Sequence, residues 1–210
     1  MELVLITFAC GAIGYLIGSV PFGYLIVKLV KGVDIREQGS GRTGGTNVFR
    51  VAGFPAGLVT ALLDVGKGAL TVLIVRQLFP ETMGWAEALA GAGVVLGHNA
   101  SIFLGFRGGA GGATSVGTAL ALWPVGGVPA LVVGLFTLFV IGYASLATIL
   151  SALSVAVVFT YFSAVYHTVP QAYALFGWVI VALVILALRP NITRLVAGKE
   201  KRVSVFKREV

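Results

Sequence analysis

GGAGGATSVGTALALWPVGGVPALVVGLFTLFVIGYASLATILSALSVAVVFTYFSAVYHTVPQAYALFGWVIVALVILAL, the run from Gly108 to Leu188, contains no Asp, Glu, Lys or Arg. A helix needs only about 20 predominantly apolar residues to cross a bilayer. This run therefore holds several crossings, and no soluble core would use it. The rest of the chain agrees: 58% of the 210 residues are hydrophobic and 11% are charged, against about a quarter charged in soluble domains. The fold expected is an all-α polytopic membrane protein, with residues 1–210 as one transmembrane unit.

Turn-forming clusters divide the run. Breaks are expected at Trp123 to Pro129, Gly142 to Ser145 and Tyr166 to Pro170, giving four segments between 114 and 188. Upstream, residues 3–27 read as a helix kinked at Pro21, followed by a polar loop over 28–50. Residues 52–79 and 88–106 read as two more helices. The total expected is seven spans, with five as the alternative.

Basic residues orient them. The 28–50 loop holds Lys28, Lys31, Arg36, Arg42 and Arg50 against Asp34 and Glu37, and the tail from Arg189 is equally basic. Cytoplasmic loops collect such residues, so the N-terminus is expected outside and the C-terminus inside. Glu81 and Glu87, read as having no basic partner, fit an outer loop. The start carries Glu2 and no Lys or Arg before Lys28, unlike a signal peptide. A formal net charge of +7 is explained by these loops and needs no nucleic acid. One cysteine, Cys10, and two histidines, His98 and His167, exclude a disulfide framework and make a protein-built metal cage unexpected.

Two polar islands interrupt the apolar pattern. One is Gly39-Ser40-Gly41-Arg42-Thr43-Gly44-Gly45-Thr46-Asn47, flanked by Arg36 and Arg50; the other is Arg107 to Thr114, just after His98. Successive N–H groups in glycine turns make an anion-binding concavity, strengthened by a following helix N-terminus. Arginine adds a planar fork of donors suited to phosphate. Asp64 and Lys67, three residues apart inside a span, share a helix face. Charges at that depth mark a functional cavity or a structural pair. Phosphate-binding candidates are Arg36, Arg42, Arg50, Lys67 and Arg107, with main-chain N–H of Gly108, Gly109, Gly111 and Gly112. Ser40, Thr46 and Asn47 are hydrogen-bonding candidates. His98 is the candidate for proton transfer, since an imidazole titrates near neutral pH; the alternative is a histidine capping a helix end.

In this order, Tyr15-Leu-Ile-Gly18-Ser19-Val20-Pro21-Phe22-Gly23-Tyr24, Asp34-Ile35-Arg36, the Gly39 to Arg50 loop and Leu63-Asp64-Val65-Gly66-Lys67-Gly68 resemble the bacterial acyl-phosphate:glycerol-3-phosphate acyltransferases. Gly97-His98 with Phe103, Phe106-Arg107-Gly108-Gly109 and Ala113-Thr114 is similar to that family's second motif. Asn191-Ile-Thr193-Arg194-Leu195 with Gly198 and Glu200 is similar to its third. The resemblance implies a seven-helical enzyme of the bacterial inner membrane with its motifs at the cytoplasmic face. It implies acyl transfer from acyl phosphate to the sn-1 hydroxyl of glycerol 3-phosphate, giving lysophosphatidic acid and phosphate, with no cofactor. It adds Asp64, Thr114, Asn191, Arg194 and Glu200 to the site and places Ser40, Asn47 and His98 among the catalytic residues.

This sequence departs from the pattern at several positions. Arg42 replaces an asparagine, Gly45 an alanine, Ala110 a lysine and Pro190 a histidine, and Ser101 stands where a proline is expected. Arg42 would return the positive charge lost at Ala110 if it reaches the same pocket. Two other readings fit parts of the pattern. One is an organic-phosphate transporter, which would show paired helix breaks at the midplane; the breaks here are unpaired. The other is a lipid-precursor-binding relative without turnover.

Overall fold

The computed structural model describes residues 1–82 and 84–203, and these form helices joined by short turns. In chain order they are α1 (Glu2–Ser19), α2 (Phe22–Lys31), α3 (Gly45–Ala52), α4 (Phe54–Leu78), α5 (Trp85–Asn99), α6 (Gly112–Leu122), α7 (Pro124–Phe136), α8 (Ala144–Ala164) and α9 (Gln171–Val196). A π-helical turn at Thr137–Ile141 extends α7. The basic residues Lys207 and Arg208 and the acidic Glu209 of the expected cytoplasmic tail lie outside the described residues.

The all-helical membrane architecture read from the sequence is borne out. Among the described residues, six segments are long and apolar enough to cross a bilayer, α1 and α2 counting together as one. The remaining apolar helix, α6, has 11 residues. At 1.5 Å per residue it spans roughly 16 Å, half the hydrocarbon thickness.

Several details differ from expectation. Pro21 does more than kink the first helix: α1 ends at Ser19, and α2 starts at Phe22 with Pro21 as its N-cap. The 28–50 stretch is not one loop. It holds the end of α2, a 3₁₀ turn at Ile35–Glu37 and all of α3 but Val51 and Ala52. Pro129 lies inside α7, because the helix restarts at Pro124, where a first-turn proline has no N–H to lose. Glu87 does have a basic partner. Arg76, near the end of α4, donates to both its carboxylate oxygens at 3.1 and 3.0 Å, and Tyr173 adds its hydroxyl. The Glu87 charge is therefore balanced across α4 and α5, whereas Glu81 in the turn between them has no basic partner among the described residues.

Small residues set the packing. Gly14 lies against the Ala90 main chain, Gly18 against Val94, and Gly97 against Tyr15 and Ser19. With numbers rising together along both, α1 and α5 are parallel and nearly touch backbone to backbone. Gly68 meets Thr114 and Thr118 on α6, and Arg76 reaches the Leu122 carbonyl at 3.0 Å, so α4 and α6 also run parallel. The main core joins α5, α6, α8 and α9 around Phe159, Phe176 and Ile180. This arrangement brings the C-terminal ends of α1 and α5 and the N-terminal end of α6 beside the middle of α4.

Candidate active site

The ends of α1 and α5 meet α4 at three buried ionisable side chains. Lys67 Nζ lies 2.9 Å from Asp64 Oδ1 and 3.0 Å from His98 Nδ1, and His98 Nδ1 lies 3.4 Å from Asp64 Oδ1. Lys67 also donates to the Gly18 and Val20 carbonyls at 3.0 and 3.1 Å. Those carbonyls are available because Pro21 ends the helix there, and the last carbonyls of a helix lack internal donors. The Phe22 ring lies 5.6 Å from the same ammonium. Asp64 and Lys67 were read from the sequence as facing a cavity or pairing with each other; the structure does both. They line a small polar recess with Ser19, Thr43, His98 and Ser101.

Two hydroxyls stitch the recess shut along one side: Ser101 Oγ donates to the Ser19 carbonyl at 2.6 Å, and Tyr15 Oη to that of Ala100 at 2.9 Å.

The second glycine loop lies over His98. Gly109 N donates to the His98 carbonyl at 2.9 Å, and the Gly109 Cα sits so close to the imidazole that a Cβ there would overlap Nε2. Gly108 packs on the His98 and Asn99 carbonyls, Gly111 takes a left-handed φ of 82°, and Gly112 opens α6 against Thr148. In the first turn of α6, Thr114 Oγ1 and Ser115 Oγ are buried without a hydrogen-bond partner among the described residues. Arg107 is exposed at the rim, after Phe106 with its φ of 61°.

The first glycine loop is organised by Asn47. Its Oδ1 accepts from Ser40 N at 3.0 Å, and its Nδ2 donates to the Gln38 and Arg42 carbonyls at 3.0 and 2.9 Å. Expected to touch substrate, Asn47 directs its amide into the loop's own main chain, and Thr46 beside it is half-buried. Arg36 pairs with Asp34 at 2.6 Å, stacks on Tyr24 and donates to the Leu104 carbonyl at 3.3 Å. That guanidinium holds the Asp34 carboxyl below the usual carboxylate range. The two loops touch where Thr43 N meets the Gly108 carbonyl at 3.5 Å. There Arg42 donates from Nη1 to the Gly109 carbonyl at 2.9 Å, from Nε to Asn191 Oδ1 at 3.2 Å and from Nη2 to the Ala187 carbonyl. Burial, and then the nearby Arg194, lower the pKa of Arg42 from its ordinary value.

The third motif closes the ring from α9 and the tail. Asn191 Nδ2 reaches Glu200 Oε1 at 3.5 Å, while the other Glu200 oxygen accepts from Ser145 Oγ. Arg50 donates to the Lys201 carbonyl at 3.1 Å, and Arg202 lies on the Tyr143 ring. Arg194 is exposed in the last turn of α9. The structure thus gathers Asp64, Lys67, His98 and the second loop at one centre, with Arg42, Asn191 and Glu200 alongside. Ser19, Ser101, Ser115, Tyr143 and Ser145 were not anticipated, since a hydroxyl in an apolar run carries no pattern of its own. Ser115 alone had a signal, standing directly after Thr114 at a helix start.

Residues 8–198 match the family model described as glycerol-3-phosphate acyltransferase. The chain belongs to that family. It is an enzyme that acylates glycerol 3-phosphate. It is 40% identical over 192 residues to a glycerol-3-phosphate acyltransferase of Halalkalibacterium halodurans, covering 90% of this chain and 91% of that one. It is 42% identical over 217 residues to one of a Nostoc species, covering 92% of each. Among solved structures it is similar to the integral membrane glycerol 3-phosphate acyltransferase PlsY. The glycerol 3-phosphate form superposes with a TM-score of 0.82 at 35% identity over 99% of this chain and 100% of that one. The lysophosphatidic acid form gives 0.78 at 36% over 96% and 95%.

Proposed function

We propose that this acyltransferase moves an acyl group from acyl phosphate to the sn-1 hydroxyl of glycerol 3-phosphate, producing lysophosphatidic acid and inorganic phosphate. The observation carrying this reading is the Asp64–Lys67–His98 cluster beneath a glycine loop that opens a helix. An ammonium has three N–H: two go to the Gly18 and Val20 carbonyls, and the third lies between Asp64 Oδ1 at 2.9 Å and His98 Nδ1 at 3.0 Å. We assign the His98 proton to Nδ1, 3.4 Å from Asp64 Oδ1, so that the Nε2 lone pair faces the second loop as general base.

The step follows from that geometry. The hydroxyl oxygen attacks the acyl carbonyl carbon while its proton passes to His98 Nε2. The tetrahedral intermediate collapses with cleavage of the bond to the phosphate oxygen, and the proton leaves with phosphate. The main-chain N–H groups of Gly108 and residues 110–112 and the unpaired Thr114 and Ser115 hydroxyls receive one phosphate at the N-terminus of α6, while the Gly109 N–H, expected among them, is taken by the His98 carbonyl. Arg36, Arg50, Arg107 and Arg194 ring the entrance and draw in the second. Lys67 contributes charge across the recess, while Ser40 and Asn47 shape the first loop. Fixing both substrates in one site supplies about 7–11 kcal/mol of the barrier, and no covalent intermediate is required.

The same reading places the site at the cytoplasmic face of a bacterial plasma membrane, with α6 as a short seventh span. The N-terminus lies outside and the C-terminus inside, supported by the basic residues around both loops and the tail. Incubating purified protein with palmitoyl phosphate and labelled glycerol 3-phosphate tests the donor. Labelled lysophosphatidic acid released with one phosphate per turnover is expected. Product formed from palmitoyl-CoA alone, or vesicle uptake of glycerol 3-phosphate without product, overturns it.

A further inference from the structure

We infer that Arg42 is a positioning residue, a clasp that ties the second glycine loop to the proline in α9 and thereby sets His98. The helix α9 continues through Pro190. Proline brings no N–H to the helix ladder, and its ring presses on the carbonyl one turn earlier. That carbonyl is Leu186's, four residues before the proline, and the ring spreads the turn beside it, where the Ala187 carbonyl is capped by Arg42 Nη2. The same guanidinium holds Asn191, next to Pro190, through Nε. Its Nη1 grips the Gly109 carbonyl, and Gly109 is the residue on which the His98 ring rests. One planar group thus spans three segments that are far apart in sequence. The path from Pro190 to the imidazole runs through two hydrogen bonds and one van der Waals contact.

The clasp makes different demands from a phosphate ligand. An arginine that binds substrate supplies charge, so lysine partly replaces it; an arginine that bridges three fixed acceptors needs its fork, which lysine lacks. The inference rests on the acyltransferase activity, so turnover of the native enzyme is measured first and separates the two questions. Arg42→Gln should lower kcat about ten- to a hundredfold while KM for glycerol 3-phosphate stays within about twofold. Arg42→Lys should not restore kcat. Pro190→Ala returns the N–H to the Leu186 carbonyl and removes the ring that spreads the turn at Ala187. In that background Arg42→Gln should lower the thermal midpoint by less than half as much as in the native chain, a coupling that needs no turnover to observe. Full kcat in Arg42→Lys overturns the clasp, as does a tenfold rise in KM with unchanged kcat in Arg42→Gln. Additive midpoint shifts in the double variant also overturn it.

Discussion

The centre of the enzyme is an ion pair that would be costly alone. Lys67 and Asp64 are 5% and 1% exposed, and removing one partner of such a pair leaves the other charge buried, at about 3–5 kcal/mol. Lys67→Met should therefore lose both turnover and stability. Lys67→Met combined with Asp64→Leu should recover most of the thermal midpoint and none of the activity. If the double variant turns over at the native rate, the ammonium has no part in the reaction. Gly109→Ala asks a second question. Its Cβ would overlap the His98 ring, and overpacking of this kind costs about 1–3 kcal/mol. We expect kcat to fall at least tenfold, with a midpoint that drops by only a few degrees; unchanged kinetics would show that His98 tolerates displacement. The sequence made Asp64 and Lys67 legible as neighbours because a helix puts i and i+3 on one face. His98 was legible as part of the same site, but its contact with the pair, made from another helix, could not be read, nor could the Gly18 and Val20 carbonyls, which need the backbone itself.

The elements carry their own lesson. Helices α4, α5, α8 and α9 were legible because long apolar runs and punctuation by Gly and Pro survive in one dimension. Helix α3 was not: its eight residues are polar enough to read as loop, and it is held by packing on α4 through Gly45, Gly57 and Ala61. The Arg76–Glu87–Tyr173 cluster was equally hidden, since it joins three helices by partners remote in sequence. The first loop depends on Asp34 and Arg36, and its pH response follows. Asp34 has a depressed pKa in the fold, so its contribution is present above the unfolded value of about 3.9 and is lost as pH falls through the folded value. Protease protection of the 32–44 loop should be level from pH 8 to about pH 5 and fall below about pH 4. Asp34→Asn should show the low level throughout. Protection that declines between pH 7 and 6 in the native chain would assign the loop to another group.

For the whole molecule, the prediction is one of sidedness. Both glycine loops meet at one end, with Thr43 against Gly108, so they must share a membrane face. Single cysteines at Gly44, where a side chain meets open space, and at Ala110, placed in a chain with Cys10 replaced by serine, should react with an impermeant maleimide only in inside-out vesicles. Labelling of either from the outside, or from opposite sides, would refute the orientation.

Depth has a consequence for how the enzyme hands on what it makes. Asp64 lies ten residues beyond the start of α4, roughly 15 Å along its axis. The return path from Pro124 to Ile141 is also longer than α6, which it follows. The cluster therefore lies at the ends of α1 and α5 and yet about three turns inside α4. Glycerol 3-phosphate has to descend to reach it. A monoacylated glycerol phosphate formed there has its tail among helices apolar enough to span a bilayer, and we expect it to pass into lipid without a soluble carrier.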